Sequence, residues 1–139
     1  MIVSEDYIPT PTQTDALLAF LPTFENREFV PSRLESPPGM TPYHVFADEL
    51  TQFHRAVYEN GFVFQFDWRA WQEDAIRYCE QPELLVSADF ETLRKLITFH
   101  VRAERYVEGH LPRQVESGHL AALLRRLREL RNFAECVAQ

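Results

Sequence analysis

The chain has 139 residues, a formal net charge of -7, 45% apolar residues and 25% charged residues. This size and composition predict a single soluble globular domain, and they exclude a disordered or fibrous chain and an apolar run long enough to span a bilayer. The acidic balance argues against nucleic acid or a membrane as a partner, and residues 1–6 lack the basic and apolar parts of a secretory signal, so we expect the cytoplasm.

The charge is unevenly distributed along the chain. Residues 1–90 contain 5 basic and 15 acidic residues, whereas residues 91–139 contain 9 basic and 6 acidic residues. An anionic partner is therefore expected to bind the C-terminal third. The two cysteines, Cys79 and Cys136, are far apart and form no CxxC pattern, which predicts reduced thiols rather than a zinc site or a disulfide.

The first forty residues are predicted to form a proline-rich arm outside the core. Seven of the nine prolines precede residue 43, and they exclude long helices there except between Thr14 and Leu21. The stretch from Phe24 to Met40 is predicted to be irregular and extended. We expect the arm to dock on the rest of the chain through Leu17, Phe20 and Phe24.

Five helices are predicted after this arm, over residues 42–60, 68–81, 90–108, 111–116 and 119–132. Thr41 and Pro42 suit the start of the first helix and Gly61 its end, while Asp67 and Asp89 are the predicted N-caps of the next two. Residues 61–66 are predicted to be an extended loop, because no second strand pattern is available to pair with them.

The predicted fold class is all-α, a compact bundle of about five helices with the proline-rich arm. The predicted organisation is an arm over residues 1–41, a helical domain over residues 42–132 and a C-terminal tail over residues 133–139.

The helix predicted over residues 90–108 has two chemically different faces. Its apolar face occupies an arc about 120° wide, and the opposite face carries Thr98 and four basic residues. These four residues form the predicted basic stripe: Arg94, Lys95, Arg102 and Arg105. Their side chains could bind a phosphate, a carboxylate or an acidic protein surface, and the alternative is a solvated face with weak ion pairs.

His100 and Glu104 lie at the centre of the apolar face, one helical turn apart. One interpretation is a buried hydrogen-bonded pair, and the other is a catalytic or ligand-binding dyad with His100 as general base. Glu108, His110 and His119 would complete a metal site only if two turns fold back, and their spacing matches no established metal motif. We therefore predict neither a metal nor a cofactor.

The aromatic residues between Phe62 and Tyr78 are dense enough to stack nucleobases. The surrounding segment is acidic, so core packing is the favoured interpretation. No nucleophile elbow, phosphate-binding loop or dinucleotide fingerprint is found in the sequence.

Three strings carry a resemblance to a known family: GFVFQFDWRAW at 61–71, LRKLITFHVRAERYVEGHL at 93–111 and ESGHLAALLRRLREL at 116–130. With them, residues 45–131 resemble a prokaryotic family of small helical domains of unknown function. The resemblance implies a compact helical domain and no particular reaction. The arm before Tyr43 lies outside it.

Two functions remain open at this stage. The leading hypothesis is a non-catalytic cytoplasmic interaction module, accessory to a stress or defence system, that binds a protein partner through the basic stripe. The alternative is a nucleotide- or ADP-ribose-type anion-binding protein or enzyme. Its pocket would join the pair His100 and Glu104 with Arg102, Arg105, His110 and His119. The oligomeric state is left open.

Overall fold

The structure, a computed structural model, describes residues 2–138 and the side chains of residues 2–134. Helices surround one central helix, and a two-stranded hairpin is added to them. The fold is therefore largely helical, as predicted, but not purely all-α. In chain order the elements are α1 (Pro11–Leu18), α2 (Leu21–Glu25), β1 (Ser32–Glu35), β2 (Tyr43–Phe46), α3 (Asp48–Glu59), α4 (Gln72–Glu80), a 3-10 helix (Pro82–Ser87), α5 (Phe90–Ala103), α6 (His110–Glu116) and α7 (His119–Ala138).

The central helix is α5, which is buried on nearly every side. Its apolar residues are covered, and so are polar ones on the face that was predicted to be solvated, including Arg94 and Thr98. Helices α4, α6 and α7 pack against it. Apolar residues at helical spacing are fully buried on α3, α5 and α7: Leu50, Phe53, Val57, Leu93, Leu96, Ile97, Leu120, Leu123, Leu124 and Leu127.

The N-terminal helices contribute to this core, and Leu17, Phe20 and Phe24 dock on the rest of the chain as expected. Thr10 and Gln13 form a capping box at the start of α1. Leu17, Leu21 and Phe24 are buried, and α1 and α2 both pack against α7. The apolar residues of the arm are too few to form a core alone, but they are buried where α1 and α2 pack against α7.

The hairpin corrects two further predictions. β1 and β2 are antiparallel and pair Ser32 with Phe46 and Glu35 with Tyr43, where irregular chain and the start of a helix were expected. Helix α3 begins only at Asp48. Both strands are largely exposed, so they lack the alternation of a half-buried strand, and the Thr-Pro pair was misread as a helix start.

The extended loop predicted over residues 61–66 is confirmed, and its partner is the N-terminal segment. Val3 donates its N–H to the carbonyl of Val63 at 3.0 Å and accepts from Gln65 N–H at 3.0 Å, which makes a parallel bridge with Phe64. The partner was missed because a single bridge leaves no strand pattern in the sequence.

Three helix ends differ from the predicted ones. α4 begins at Gln72, because Asp67 caps a turn through Ala70 N–H rather than the helix itself. α5 ends at Ala103 instead of Glu108. α7 continues to Ala138, so the predicted tail is helical from residue 133 to that point, and Gln139 lies outside the described residues. Among the described helices, none combines the length and apolar character that a membrane span requires.

Candidate functional site

Three histidines from three helices meet in the interior. His100 Nδ1 lies 2.9 Å from His110 Nε2, and His100 Nε2 lies 3.0 Å from His119 Nε2. His110 is the first residue of α6 and His119 the first residue of α7. Each follows a glycine with positive φ, Gly109 at 85° and Gly118 at 83°. The tripeptide GHL occurs twice in the sequence, and in each copy its histidine ring contacts His100.

Two of the three histidines are buried, and all three are uncharged at neutral pH. His100 is 1% exposed and His119 is 5% exposed, whereas His110 is half-buried. Burial is the main cause that lowers the pKa of each ring. It places the pKa of His100 well below 6.5 and that of His119 at about 4, with further lowering from the neighbouring histidines. The pKa of His110 is lowered by burial and then by Arg113.

Glu104 does not pair with His100, so the predicted pair is wrong. The Glu104 carboxylate accepts the N–H of Gly109 at 2.8 Å and the N–H of Leu111 at 2.7 Å. It therefore caps the turn between α5 and α6. Because helix α5 ends at Ala103, the side chain of Glu104 reaches the start of the next helix and positions His110.

A pocket of about 620 Å³ opens beside the histidines. Its more buried residues are Phe99, Ala103 and Gln114, and its exposed residues include Arg69, Tyr106 and Arg113. We call it the aromatic pocket, after the side chains of Trp68, Phe99 and Tyr106 in its wall.

The polar side chains that line the same pocket include Cys79, His110 and Gln114. The Cys79 thiol is free and lies 3.7 Å from Gln114 Oε1, to which it donates a weak hydrogen bond. Burial and the adjacent Glu80 raise the pKa of this thiol to about 11. Cys79 is therefore protonated at neutral pH and is not an activated nucleophile.

Two arginines flank the aromatic wall. The Arg69 guanidinium lies 4.5 Å from the ring centre of Tyr106 and 5.3 Å from that of Trp68, distances typical of cation–π contacts. Arg113 lies on α6 at the same pocket and is exposed. These positive groups offset the acidic character of the chain at this place.

A potential metal-binding group lies behind the pocket. One ligand atom each of Cys79, His100 and His119 lie within 4.8 Å of one another. This group joins α4, α5 and α7. It was not predicted, because Cys79 is distant in sequence and belongs to no ligand motif.

The predicted basic stripe does not form a continuous surface. Arg94 is 4% exposed and donates to the carbonyls of Tyr7 at 2.8 Å and Gly61 at 2.9 Å. The Lys95 ammonium lies 5.9 Å from the rings of Phe66 and Trp71. The stripe is interrupted because the N-terminal segment and residues 61–66 cover this face of α5.

The two remaining basic residues of the stripe differ from each other. Arg102 is half-buried, with its Nε atom buried and without a partner among the described residues, and it lines a second cavity with Trp68 and Phe66. Arg105 is exposed. Neither lines the aromatic pocket, so the structure joins the three predicted histidines but not the predicted arginines.

Sequence reasoning missed the arginines and aromatics that line the pocket. Trp68 was assigned to the core, and Arg69 and Arg113 were not singled out. For the histidines alone, the sequence carried a further signal, the repeated GHL fragment. A glycine that precedes a histidine at two helix starts is a pattern that can bring two imidazoles to the same place.

Comparisons place the chain in a family without assigning it an activity. No curated protein and no solved structure gives a significant match. A family model, described as "Family of unknown function (DUF6508)", matches residues 9–133. The match includes the N-terminal helices and the hairpin, so the expectation that the arm lies outside the resemblance is wrong. The chain belongs to this family of unknown function.

Proposed function

We propose that the protein binds a small organic anion with an aromatic or apolar body in the aromatic pocket. The single observation that supports it most is the combination, in one pocket of about 620 Å³, of aromatic walls with two arginines. Pockets for small molecules have volumes of this order, and a few convergent polar groups in them orient the ligand.

Different side chains of the pocket would contact different parts of the ligand. Trp68 and Phe99 offer ring surface to the ligand body, while Arg69 and Arg113 offer guanidinium forks that match carboxylate or phosphate. His110 and Gln114 provide neutral hydrogen-bonding groups. Nucleotides and aromatic carboxylates both fit this description.

Binding rather than catalysis is the function that the side chains favour. The Cys79 thiol is protonated, and Glu104 caps a helix instead of activating His100. The dyad of the enzyme hypothesis is thus not assembled. The anion-binding part of that hypothesis stays a prediction, with the site moved from the predicted pocket around His100, Arg102 and Arg105 to the aromatic pocket.

The hypothesis of a protein partner also stays a prediction. Of its four basic residues, Arg94 is buried and only Arg105 is exposed, which weakens the proposed surface. We further propose a reducing compartment such as the cytoplasm, which the free thiol of Cys79 supports.

A thermal-shift screen tests the proposed function. AMP, ADP-ribose and naphthoate are compared with neutral naphthamide, and a binder at a hundredfold excess over its dissociation constant adds about 2.7 kcal/mol to the free energy of unfolding. We expect the anions to raise the melting temperature more than naphthamide does. If none of the compounds raises the melting temperature, the proposal is contradicted.

Two pairs of variants locate the binding. Val107 lines the pocket and is 49% exposed, so Val107→Trp blocks it without disturbing the core, whereas Val86→Trp makes the same change on the exposed 3-10 helix. Arg113→Gln should weaken anion binding about tenfold, the value of one charge-assisted hydrogen bond, and Arg55→Gln on α3 is its control. Binding that survives Val107→Trp contradicts this location.

A further inference from the structure

The histidine cluster has more nitrogen atoms than its hydrogen bonds can satisfy. A neutral imidazole has one N–H and one lone pair, and the two contacts of His100 use one proton each. Whichever tautomers are chosen, Nδ1 of His119 remains buried without a partner among the described residues. Hydrogen bonding therefore holds the ring of His119 in the cluster through Nε2 alone.

The donor atoms of the cluster suit a transition metal. Cys79 adds a sulfur to the nitrogens of His100 and His119, all within 4.8 Å of one another. Nitrogen and thiolate sulfur are the ligands that Zn²⁺ prefers, whereas Mg²⁺ and Ca²⁺ require oxygen. The chemistry of the group thus selects a zinc-like ion.

The spacing is close to that of a tetrahedral site. With zinc–nitrogen bonds of about 2.0–2.1 Å, two nitrogen ligands lie about 3.3 Å apart. The Nε2 atoms of His100 and His119 are 3.0 Å apart. The Cys79 sulfur lies within 4.8 Å of both imidazoles.

A supporting hydrogen bond is already in place. Metal-binding histidines usually donate their second ring N–H to a neighbouring acceptor, which fixes the tautomer and the ring orientation. If His100 binds through Nε2, its Nδ1–H donates to His110 Nε2 at 2.9 Å. His110 is in turn positioned by Glu104, which holds the start of α6.

We propose that Cys79, His100 and His119 bind one Zn²⁺-like ion, with His110 as the positioning residue. On binding, the sulfur–metal bond replaces the S–H bond of Cys79, and the proton is released to solvent. Three protein ligands leave one coordination position open, as in catalytic rather than structural zinc sites. Because Cys79 and His110 also line the aromatic pocket, the proposed site would border that pocket. The inference does not depend on an organic ligand binding there.

Cobalt titration of the full chain without an affinity tag tests the proposal. The protein is first treated with a chelator, and Co²⁺ is added while the absorbance is recorded. We expect a thiolate-to-cobalt charge-transfer band that saturates at one ion per chain and disappears when Zn²⁺ is added. Absence of the band at excess Co²⁺ overturns the proposal.

Variants separate this site from adventitious binding. Cys79→Ser should abolish the charge-transfer band, and Cys136→Ser, which changes the other cysteine of the sequence, should leave it intact. His110→Gln should keep the band but weaken binding about 10- to 100-fold, the effect of removing an outer partner. Circular dichroism verifies that each variant is folded. A band that persists in Cys79→Ser overturns the assignment, as does one lost in Cys136→Ser.

Discussion

The two GHL segments, residues 109–111 and 118–120, have the same sequence and nearly the same backbone, yet their histidines have different surroundings. In both, a glycine with positive φ precedes a helix whose first residue is histidine, and the leucine is 1% exposed. His110 is half-buried and lines the aromatic pocket, whereas His119 is enclosed in the core.

The difference arises outside the tripeptides. The first segment is held by Glu104, and Gly109 lies against the side chain of His44 in the hairpin. In the second segment His119 N–H donates a weak bond to Ser117 Oγ at 3.3 Å, and the ring of His119 is buried in the core. Identical local sequences thus give one pocket residue and one core residue, because tertiary packing decides the exposure of each ring.

Removal of the His100 ring, which contacts the histidines of both segments, should have the largest effect on stability. His100→Ala leaves a cavity in the core and deprives both other histidines of their partner, so the free energy of unfolding should fall by about 2–5 kcal/mol. His54→Ala is the matched control, because His54 is a half-buried ring on α3 and should cost less. Urea denaturation measures both, and equal losses would contradict the central role of His100.

Acid should distinguish the two segments next. The pKa of His119 is about 4 in the folded chain and near 6.5 when unfolded, so between these values only the unfolded state gains the proton. Stability is therefore complete above about pH 6.5, falls as the pH decreases and levels off below about pH 4, with a loss of about 3 kcal/mol from this ring.

Denaturation in the presence of a chelator, from neutral pH down to about pH 4, measures this loss. His119→Gln should make the free energy of unfolding clearly less dependent on pH. His110→Gln should reduce this dependence less, since His110 is only half-buried. The same pH dependence in both variants would refute the comparison.

Substitution of the two GHL glycines, Gly109 and Gly118, should have the smallest effect on stability. Alanine in the left-handed region costs roughly 1 kcal/mol at either position. A Cβ at Gly109 also meets His44 Nε2 at 3.2 Å, whereas a Cβ at Gly118 meets nothing within 4 Å. Gly109→Ala should therefore lower the melting temperature slightly more than Gly118→Ala, with Gly39→Ala as a control for backbone strain alone. The reverse order would show that the hairpin contact is unimportant.

The apolar helix faces were predictable because they depend on local periodicity. Leu50, Phe53 and Val57 repeat at helical spacing, and all three are buried. The same reasoning failed for Arg94, since it assumes that one face of a helix meets solvent. α5 is enclosed on both faces, and a single sequence does not show which helix will be central.

The candidate site was predictable in part. His100, His110 and His119 were expected to share a pocket if the turns folded back, and they meet as a cluster. Cys79 was missed, because its proximity depends on the packing of α4. Glu104 was misassigned because its backbone partners, Gly109 and Leu111, appear only when the helix ends at Ala103.

The buried guanidinium of Arg94 has a consequence for the order in which the chain folds. Its two carbonyl partners lie 87 and 33 residues earlier in the sequence. During synthesis the N-terminal part of a chain leaves the ribosome first, so Tyr7 and Gly61 remain undocked until α5 has emerged. An unpaired buried charge is costly, so α5 is not stably enclosed before both segments arrive. Closure around α5 is therefore expected to be one late, cooperative step of folding.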